Sequence, residues 1–379
     1  MMINSKLRVA VIGGGVLGAS TAQQLARAGT DVVLVTEGEL TSNTSGRSLS
    51  WLNSAGARSE TYHRLRMAGI DRYRTIAAHH PVNDWLRFDG GLAWAPPEEA
   101  DQLRARHRHE VAHGYESHLL QPEETAAQVP GVDPRVIPAT GAVWNPGEGW
   151  VDLPSLVQFL IKDFVEEGGR LVTHAGRSEV VVRNGAVSAV RTAGGERFEV
   201  DAAVLATGPE VPAMAADLGI AIPDRTPISM LVTTKPLPHD LTAVLNTPHV
   251  SLRPAPGGAL AVDADWTSES ITRSAGGGYG VPEVVVEALL AEASRVLIGH
   301  PRLKADWTGI GPKPIPGDGD PVLGRADDVA GLSLAFSHSG ATLGLIAGEL
   351  LAYEILEGTA HPMLADFNVR RFGLQPADR

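Results

Sequence analysis

A glycine-rich turn near the start of the chain restricts the fold more than any other feature. Residues 7–12 are largely apolar, which is typical of a strand buried on both faces. Gly13, Gly15 and Gly18 follow with the spacing G-x-G-x-x-G, and the sequence predicts a helix up to residue 28 and a second apolar strand over residues 32–35. In such a βαβ unit the glycines permit a tight turn, close backbone approach to a diphosphate, and close helix–strand packing. The pattern therefore predicts a Rossmann-type dinucleotide site.

The ends of the predicted elements suggest further contacts to the dinucleotide. Val16 and Leu17 begin the helix, where unpaired N–H groups and the positive end of the helix dipole would face the phosphates. The position that usually carries the ribose-binding carboxylate is occupied here by Thr36, and an acidic residue, Glu37, follows one residue later. Two alternatives follow: either Glu37 turns inward, or the Thr36 hydroxyl makes a weaker contact.

Composition excludes several classes of protein. The formal net charge of -12 argues against nucleic acid or an anionic membrane as the main partner. The chain has no cysteine, which excludes disulfides, thiolate metal sites and a cysteine nucleophile. His109 and His113 have a metal-compatible spacing but belong to an arginine-rich, solvated helix, so no metal site is predicted. The apolar run at residues 7–12 is too short for a signal peptide or a membrane span, and a cytoplasmic location is expected.

Two kinds of sequence texture alternate along the chain and predict two discontinuous domains. Residues rich in β-branched side chains and proline, from about 223 to 263, indicate an antiparallel sheet. We predict a nucleotide-binding domain at 1–80, 145–222 and 305–379, and a second domain at 81–144 and 223–304. The expected fold class is α/β with α+β character.

Several blocks beyond the glycine turn make the chain resemble a known family. They are Thr44-Ser45-Gly46-Arg47-Ser48 followed by Trp51-Leu52-Asn53, then Ala206-Thr207-Gly208, the stretch from Lys313 to Gly324, and the stretch from Phe336 to Leu343. Their order and spacing, over nearly the whole chain, are more specific than any single block. In these features the sequence resembles the D-amino-acid oxidase and glycine/sarcosine oxidase family of flavoenzymes.

The resemblance implies FAD as the cofactor, a glutathione-reductase-type Rossmann FAD domain, and a substrate domain built on an antiparallel sheet. It also implies that Ser45 to Ser48 lie near the pyrophosphate and flavin, that Val180 contacts adenine through its backbone, and that the segment from His338 to Thr342 lies at the pyrimidine edge of the flavin. The cofactor residues implied by the blocks are Ser45, Gly46, Arg47, Ser48, Val180, Ala206, Thr207, Gly208, Ser339, Gly340, Ala341 and Thr342.

The resemblance further implies oxidation of an amine to an imine by hydride transfer to the flavin, with a basic side chain holding a substrate carboxylate. Lys313 stands where relatives with α-amino-acid substrates usually carry arginine, so it is either that group or a solvated loop lysine. Arg253 either supplies a guanidinium for the carboxylate or is an exposed strand residue. The substrate is expected to be a small amine or amino acid, and the electron acceptor to be O2 or another compound.

Two aromatic residues complete the candidate catalytic set. Trp51 either lines the substrate pocket or packs in the core. His338 either bonds to the flavin or moves a proton, or it is a structural loop residue. Two other functions remain open: a flavin-dependent 2-hydroxy-acid dehydrogenase, which would need a base such as His338 or His63, and an FAD-binding subunit without turnover. The sequence leaves the oligomeric state open.

Overall fold

The computed structural model describes residues 6–274 and 276–373. The strands of the described residues are β1 (Arg8–Ile12), β2 (Asp31–Val35), β3 (Trp51–Leu52), β4 (Leu86–Arg87), β5 (Gly91–Ala93), β6 (His118–Leu120), β7 (Ala142–Asn145), β8 (Gly149–Val151), β9 (Arg170–Val172), β10 (Glu179–Arg183), β11 (Ala186–Arg191), β12 (Arg197–Glu199), β13 (Ala202–Leu205), β14 (Ile228–Thr234), β15 (Val244–Asn246), β16 (Ser251–Ala255), β17 (Ala259–Asp263), β18 (Thr272–Arg273), β19 (Tyr279–Gly280), β20 (Ala305–Pro312), β21 (Val322–Arg325) and β22 (Leu332–Phe336). The α-helices of the described residues are α1 (Val16–Arg27), α2 (Glu60–His79), α3 (Ala100–Ala112), α4 (Pro122–Gln128), α5 (Leu153–Glu166), α6 (Val211–Ala216), α7 (Glu283–Arg295) and α8 (Gly340–Glu357).

The chain divides into two compact units, each discontinuous in sequence. Unit 1 comprises residues 1–46, 153–227 and 312–379, and unit 2 comprises residues 47–152 and 228–311. In the part of the chain that the structure describes, no helix is both long enough and apolar enough to span a membrane.

Unit 1 is built on a six-stranded sheet with the order β21-β22-β13-β1-β2-β9. Strands β22, β13, β1, β2 and β9 are parallel, and β21 runs antiparallel to β22 at the edge. The central strands are buried on both faces, which explains their continuous apolar sequence. A separate three-stranded sheet is formed by β10, β11 and β12.

Steric contacts explain why glycine is needed in the turn between β1 and α1. Gly13 has a φ of 122°, and a Cβ atom there would lie 2.2 Å from the carbonyl oxygen of Ala206 at the end of β13. A Cβ atom on Gly18 would lie 1.9 Å from the carbonyl oxygen of Gly13. Both distances are far below van der Waals contact, so a side chain at either position would push α1 away from the sheet.

Helix α8 packs along α1 at very close range. A Cβ atom on Gly348 would lie 2.2 Å from the Ser20 hydroxyl oxygen, and that hydroxyl donates to the carbonyl oxygen of Leu345 at 3.3 Å. Small residues on both helices permit this approach, and it places the last helix of the unit beside the first.

Unit 2 contains an eight-stranded sheet with the order β20-β14-β17-β16-β15-β5-β7-β6. Its pairs β14–β17, β17–β16, β16–β15, β5–β7 and β7–β6 are antiparallel, while β15 and β5 pair in parallel. Helix α7 contributes Leu289 and Ala293 to the apolar core against this sheet. Together the two units confirm the predicted fold class, a Rossmann-type domain with a second domain on a largely antiparallel sheet.

The domain limits expected from the sequence differ from these units. Residues 47–80 and 145–152 are assigned by the sequence to the nucleotide-binding domain, whereas in the structure they belong to unit 2. The cause is strand pairing: β3 and β4 both pair with β8, and the three form a small antiparallel sheet. Residues 305–311 also belong to unit 2, since β20 forms the edge of the eight-stranded sheet, and residues 223–227 belong to unit 1.

Candidate functional site

A cavity of about 560 Å³ opens in unit 1 at the carboxyl ends of the central strands. This is the edge at which open α/β sheets usually bind ligands. The lining residues come from several chain-distant segments: Ile12, Gly13, Gly14, Gly15, Val16, Leu17, Thr36, Glu37, Gly38, Glu39, Thr41, Ser42, Asn43, Thr44, Ser45, Gly176, Arg177, Ser178, Ala206, Thr207, Gly208, Pro209, Glu210, Met214, Pro312, Pro314, Ser337 and Gly340.

The glycine turn forms one wall of this cavity, and the first turn of α1 opens onto it. A Cβ atom on Gly14 would lie 2.8 Å from the Thr36 hydroxyl oxygen, and one on Gly15 would lie 3.1 Å from the Ser45 hydroxyl oxygen. Backbone rather than side chain therefore faces the cavity here. The amide of Val16 donates to the Ser45 hydroxyl at 3.1 Å, so a hydroxyl oxygen occupies one acceptor position at this helix N-terminus.

A second helix begins at the same cavity. Gly340, the first residue of α8, lines it together with Ser337. The Ser337 hydroxyl accepts from the amide of Ser339 at 3.0 Å, and the carbonyl of Ser339 accepts from the amide of Leu343 at 2.9 Å. Two helix N-termini with their positive dipole ends thus meet one glycine-walled cavity. This donor set fits an anionic diphosphate and, at α8, a flavin ring that becomes negative on reduction.

The end of β2 supplies the two candidates for the ribose contact. Thr36 is buried, and its backbone bonds to the carbonyl of Val172 at 2.9 Å and to the amide of Ala175 at 3.0 Å. Glu37 is exposed, and its carbonyl accepts from the amide of Gly176 at 3.1 Å. Both residues line the cavity, so both of the alternatives drawn from the sequence stay open.

Of the cofactor residues predicted from the sequence, the cavity brings together eleven from separate parts of the chain: Gly13, Gly15, Val16, Leu17, Thr36, Glu37, Ser45, Ala206, Thr207, Gly208 and Gly340. The other predicted positions have different surroundings. Gly46 packs against the chain, because a Cβ atom there would lie 2.2 Å from the carbonyl oxygen of Thr41. Val180 lies on β10, paired with Val190. Arg47 and Ser48 belong to unit 2.

Gly18 lies within α1 and packs against the carbonyl of Gly13, and the remaining predicted cofactor positions are at the start of α8. Ser339 precedes the helix, and Ala341 and Thr342 lie in its first turn, with Thr342 buried. His338 is exposed in the turn before α8. Lys313 is half-buried, and its backbone amide donates to the carbonyl of Pro227 at 2.9 Å. Pro312, Pro314 and Ser337, their neighbours in the chain, are among the lining residues.

Several lining residues were missed by the sequence analysis. Gly38, Glu39 and residues 41–44 come soon after Glu37, and Gly14 belongs to the glycine turn, so proximity to the predicted residues could have indicated them. Residues 176–178 come from the connection between β9 and β10, which carries no recognisable motif. Their position depends on β9 pairing with β2, a contact between chain-distant strands.

In unit 2, Trp51 is half-buried and is held by a carboxylate. Its indole Nε1 donates to Oε2 of Glu148 at 2.7 Å. The hydroxyl of Tyr115 donates to Oε1 of the same carboxylate at 2.6 Å and accepts from the amide of Ser54 at 3.0 Å. Glu148 is fully buried, and burial raises its pKa to about 8.

A second buried carboxylate of unit 2 has the opposite electrostatic balance. Glu110 accepts from Nε of Arg106 at 2.7 Å, from the hydroxyl of Ser117 at 2.8 Å, from Nδ2 of Asn145 at 3.0 Å and from the amide of Gly56 at 2.9 Å. Burial opposes ionisation, but the charge and hydrogen bond of Arg106, with the other donors, leave the pKa of Glu110 below its ordinary value.

Arg253 is a buried residue of β16 and not an exposed strand residue. Its Nε donates to the carbonyl of Leu49, one terminal nitrogen donates to the carbonyl of Pro254 at 2.8 Å, and the other lies 3.8 Å from Oδ1 of Asp152. The guanidinium also lies over the ring of Trp150, 5.1 Å from its centroid. Burial lowers the pKa of Arg253 to about 10, and the guanidinium is already engaged by protein groups.

Comparisons with known proteins match this arrangement. The family described as "DAO: FAD dependent oxidoreductase" matches residues 8–354. One subunit of an opine oxidase from Agrobacterium tumefaciens is 26% identical, with 97% of this chain and 98% of the relative covered. A glycine oxidase from Geobacillus kaustophilus is 26% identical, with 96% of each chain covered. The crystal structure of a glycine oxidase from Geobacillus kaustophilus superposes with a TM-score of 0.79 at 24% identity, covering 97% of this chain and 99% of the other.

Proposed function

Because the chain belongs to the DAO family of FAD-dependent oxidoreductases, we propose that it oxidises a C–N bond of an amino acid or secondary amine. The observation that carries this proposal is the family match over residues 8–354 combined with a cavity in unit 1 that has a glycine wall and two helix N-termini. A small amine or amino acid is the substrate, and O2 or another compound accepts the electrons.

Unit 1 holds the cofactor in this proposal. Backbone amides at Gly15 and Leu17 bind the diphosphate, the Ser45 hydroxyl that accepts from the Val16 amide adds a donor, and either Thr36 or Glu37 binds the ribose. When bound, FAD would supply the acceptor for the hydride of the substrate carbon; the iminium ion that remains would lose its nitrogen proton to give an imine that water hydrolyses. The start of α8 stabilises the negative charge that this transfer creates, because its N–H groups point out of the helix end.

The names of the relatives support the substrate class, since one names an amino acid and the other an opine. Such substrates need a cation for a carboxylate, and Lys313 is the first candidate. Arg253 is a weaker one, because its guanidinium already bonds to two carbonyl groups. His338 and Trp51 are proposed at the flavin edge and in the substrate pocket respectively.

The test is anaerobic reduction of the purified flavoprotein, followed by its visible spectrum. Panels of amino acids, secondary amines and 2-hydroxy acids are added separately, and the protein without substrate is the control. We expect loss of the flavin bands with one class of amine, and formation of hydrogen peroxide when air is admitted if O2 is the acceptor. Reduction by hydroxy acids alone would overturn the proposal in favour of a hydroxy-acid dehydrogenase.

A second candidate rests on the name of the opine oxidase relative, which is that of one subunit of an enzyme. In this alternative the chain binds FAD but requires a partner chain for turnover. The purified chain would then be yellow, and its flavin would remain oxidised with every compound of the panels.

A further inference from the structure

The carboxyl group of Glu148 occupies buried space that a side chain at position 91 would take up. It is fully buried at the turn between β7 and β8, and a Cβ atom on Gly91 of β5 would lie 2.1 Å from its Oε2. Glycine at position 91 therefore leaves the room that the carboxyl group occupies. A buried carboxyl group is costly to desolvate, and such groups in stable proteins need specific partners.

The two oxygen atoms of Glu148 have different partners. Oε1 accepts from the hydroxyl of Tyr115 at 2.6 Å, and Oε2 accepts from Nε1 of Trp51 at 2.7 Å. The Tyr115 hydroxyl accepts from the amide of Ser54, which fixes its direction of donation toward Glu148. A carboxyl group presents an acceptor oxygen to each of the two donors, whereas an amide has a single acceptor oxygen.

Trp51 is half-buried, so packing covers only part of its ring, while the hydrogen bond selects the ring orientation that points Nε1 at Glu148. Across the strand pair, Trp51 of β3 faces Trp150 of β8. In the chain, Trp51 comes shortly after Ser45, which lines the cavity of unit 1.

We infer that Glu148 is a positioning residue that fixes the indole of Trp51 as a wall of the substrate site. This inference rests on the proposed function, in which Trp51 contacts the amine or amino acid. Glu148 itself is fully buried and acts on the substrate only through Trp51. Its effect is therefore on substrate fit, which is measured by KM, more than on the hydride transfer measured by kcat.

The main experiment compares Glu148→Gln with Glu110→Gln in the FAD-loaded protein. Glu110 is the matched control, because it is also buried in unit 2 but bonds to Arg106, Ser117 and Asn145 instead of Trp51. The near-UV circular dichroism of Trp51 is obtained as the difference between wild type and Trp51→Phe. We expect Glu148→Gln to alter that band and to raise KM about tenfold, which corresponds to one lost hydrogen bond of about 1.4 kcal/mol. Glu110→Gln should leave the band unchanged.

A Trp51 band and a KM that respond equally to both glutamine variants would overturn the inference, since a general loss of packing would then explain them. The dichroism needs no turnover, so it decides the contact between Glu148 and Trp51 even if no amine reduces the flavin. A flavin that no amine reduces would overturn the proposed function, but it would leave the positioning of Trp51 by Glu148 standing.

If Glu148→Gln does not fold, Trp51→Phe tests the same contact from the other side. The titratable or charged groups that act on Glu148 are Tyr115, Arg106 and Glu110, and the hydrogen bond from Trp51 favours its ionised form. Because Glu148 acts on the substrate only through this contact, Trp51→Phe should abolish the change in KM with pH that is expected near pH 8 in wild type. A change in KM that persists near pH 8 in Trp51→Phe would overturn the inference.

Discussion

The hydroxyl oxygen of Ser45 lies 3.1 Å from the backbone nitrogen of Val16 and accepts its hydrogen bond. Val16 is the first residue of α1, where the amide groups have no acceptor within the helix. The contact joins the serine-containing segment to the glycine turn, and both line the same cavity. Ser45 therefore stands where a group bound at this helix end meets the protein.

Ser45→Ala is expected to weaken FAD binding by about five- to tenfold, because it removes a hydroxyl that can bond to the diphosphate at a helix N-terminus, an interaction of about 1 kcal/mol. Fluorescence titration of the apoprotein with FAD gives the dissociation constant. Ser59→Ala is the control, since Ser59 accepts from the amide of Tyr62 at the start of α2 in unit 2. Unchanged or tighter FAD binding in Ser45→Ala would contradict a cofactor role for the hydroxyl.

Gly18→Ala is expected to abolish the FAD content of the purified protein. The added methyl group would lie 1.9 Å from the carbonyl oxygen of Gly13, so α1 must move away from the sheet and from the cavity. The flavin-to-protein absorbance ratio and the melting temperature measure the effect. Gly280→Ala is the control, because a Cβ atom there meets open space. Full flavin content in Gly18→Ala would show that the close crossing is dispensable.

Glu148 is expected to lower the stability of the protein as pH rises from about 5 to 8. Its folded-state pKa of about 8 lies above the ordinary value of 4.5, so in this range the unfolded chain is ionised while the folded protein retains a proton. Unfolding then releases a proton, so raising the pH favours unfolding. Well above pH 8 the group is ionised in both states, and it causes no further loss of stability. Urea unfolding at several pH values measures the slope.

Glu148→Gln should reduce this slope, because the variant cannot ionise at position 148. Glu110→Gln should reduce it less, since burial is the main cause of the raised pKa of Glu148 and the charge of Glu110 is a smaller one. Equal slopes in wild type and Glu148→Gln would argue against a raised pKa at Glu148.

Arg253→Gln is expected to destabilise the protein by roughly 2–4 kcal/mol, because the carbonyls of Leu49 and Pro254 lose a donor and Asp152 loses a nearby positive charge. Urea unfolding measures this loss, and the exposed Arg273→Gln serves as the control.

Lys313→Met should instead raise KM for a carboxylate-bearing substrate, with little change in the free energy of unfolding. The reverse pattern, in which Arg253 governs KM and Lys313 governs stability, would exchange the two roles.

Local patterns predicted the elements of unit 1 closely. The strand expected over residues 7–12 is Arg8–Ile12, and the helix expected over residues 15–28 is Val16–Arg27. These assignments succeed because strand and helix periodicity and the sterics of glycine act over a few residues. The compact units have limits that differ from those of the predicted domains, because β3 and β4 join unit 2 by pairing with β8, about a hundred residues after β3 in the chain.

The sequence by itself determined the βαβ unit, the need for glycine at positions 13 and 18, and the kind of ligand that such a turn accepts. Only the tertiary structure decided that Ser45 meets Val16, that residues 176–178 line the cavity, that Arg253 is buried against the carbonyl of Leu49, and that Glu148 holds Trp51. The physical reason is the distance in sequence between the residues that interact. Backbone propensities and glycine sterics are encoded among near neighbours, whereas a hydrogen bond between residues as far apart as 49 and 253 exists only once the segments that carry them have packed together.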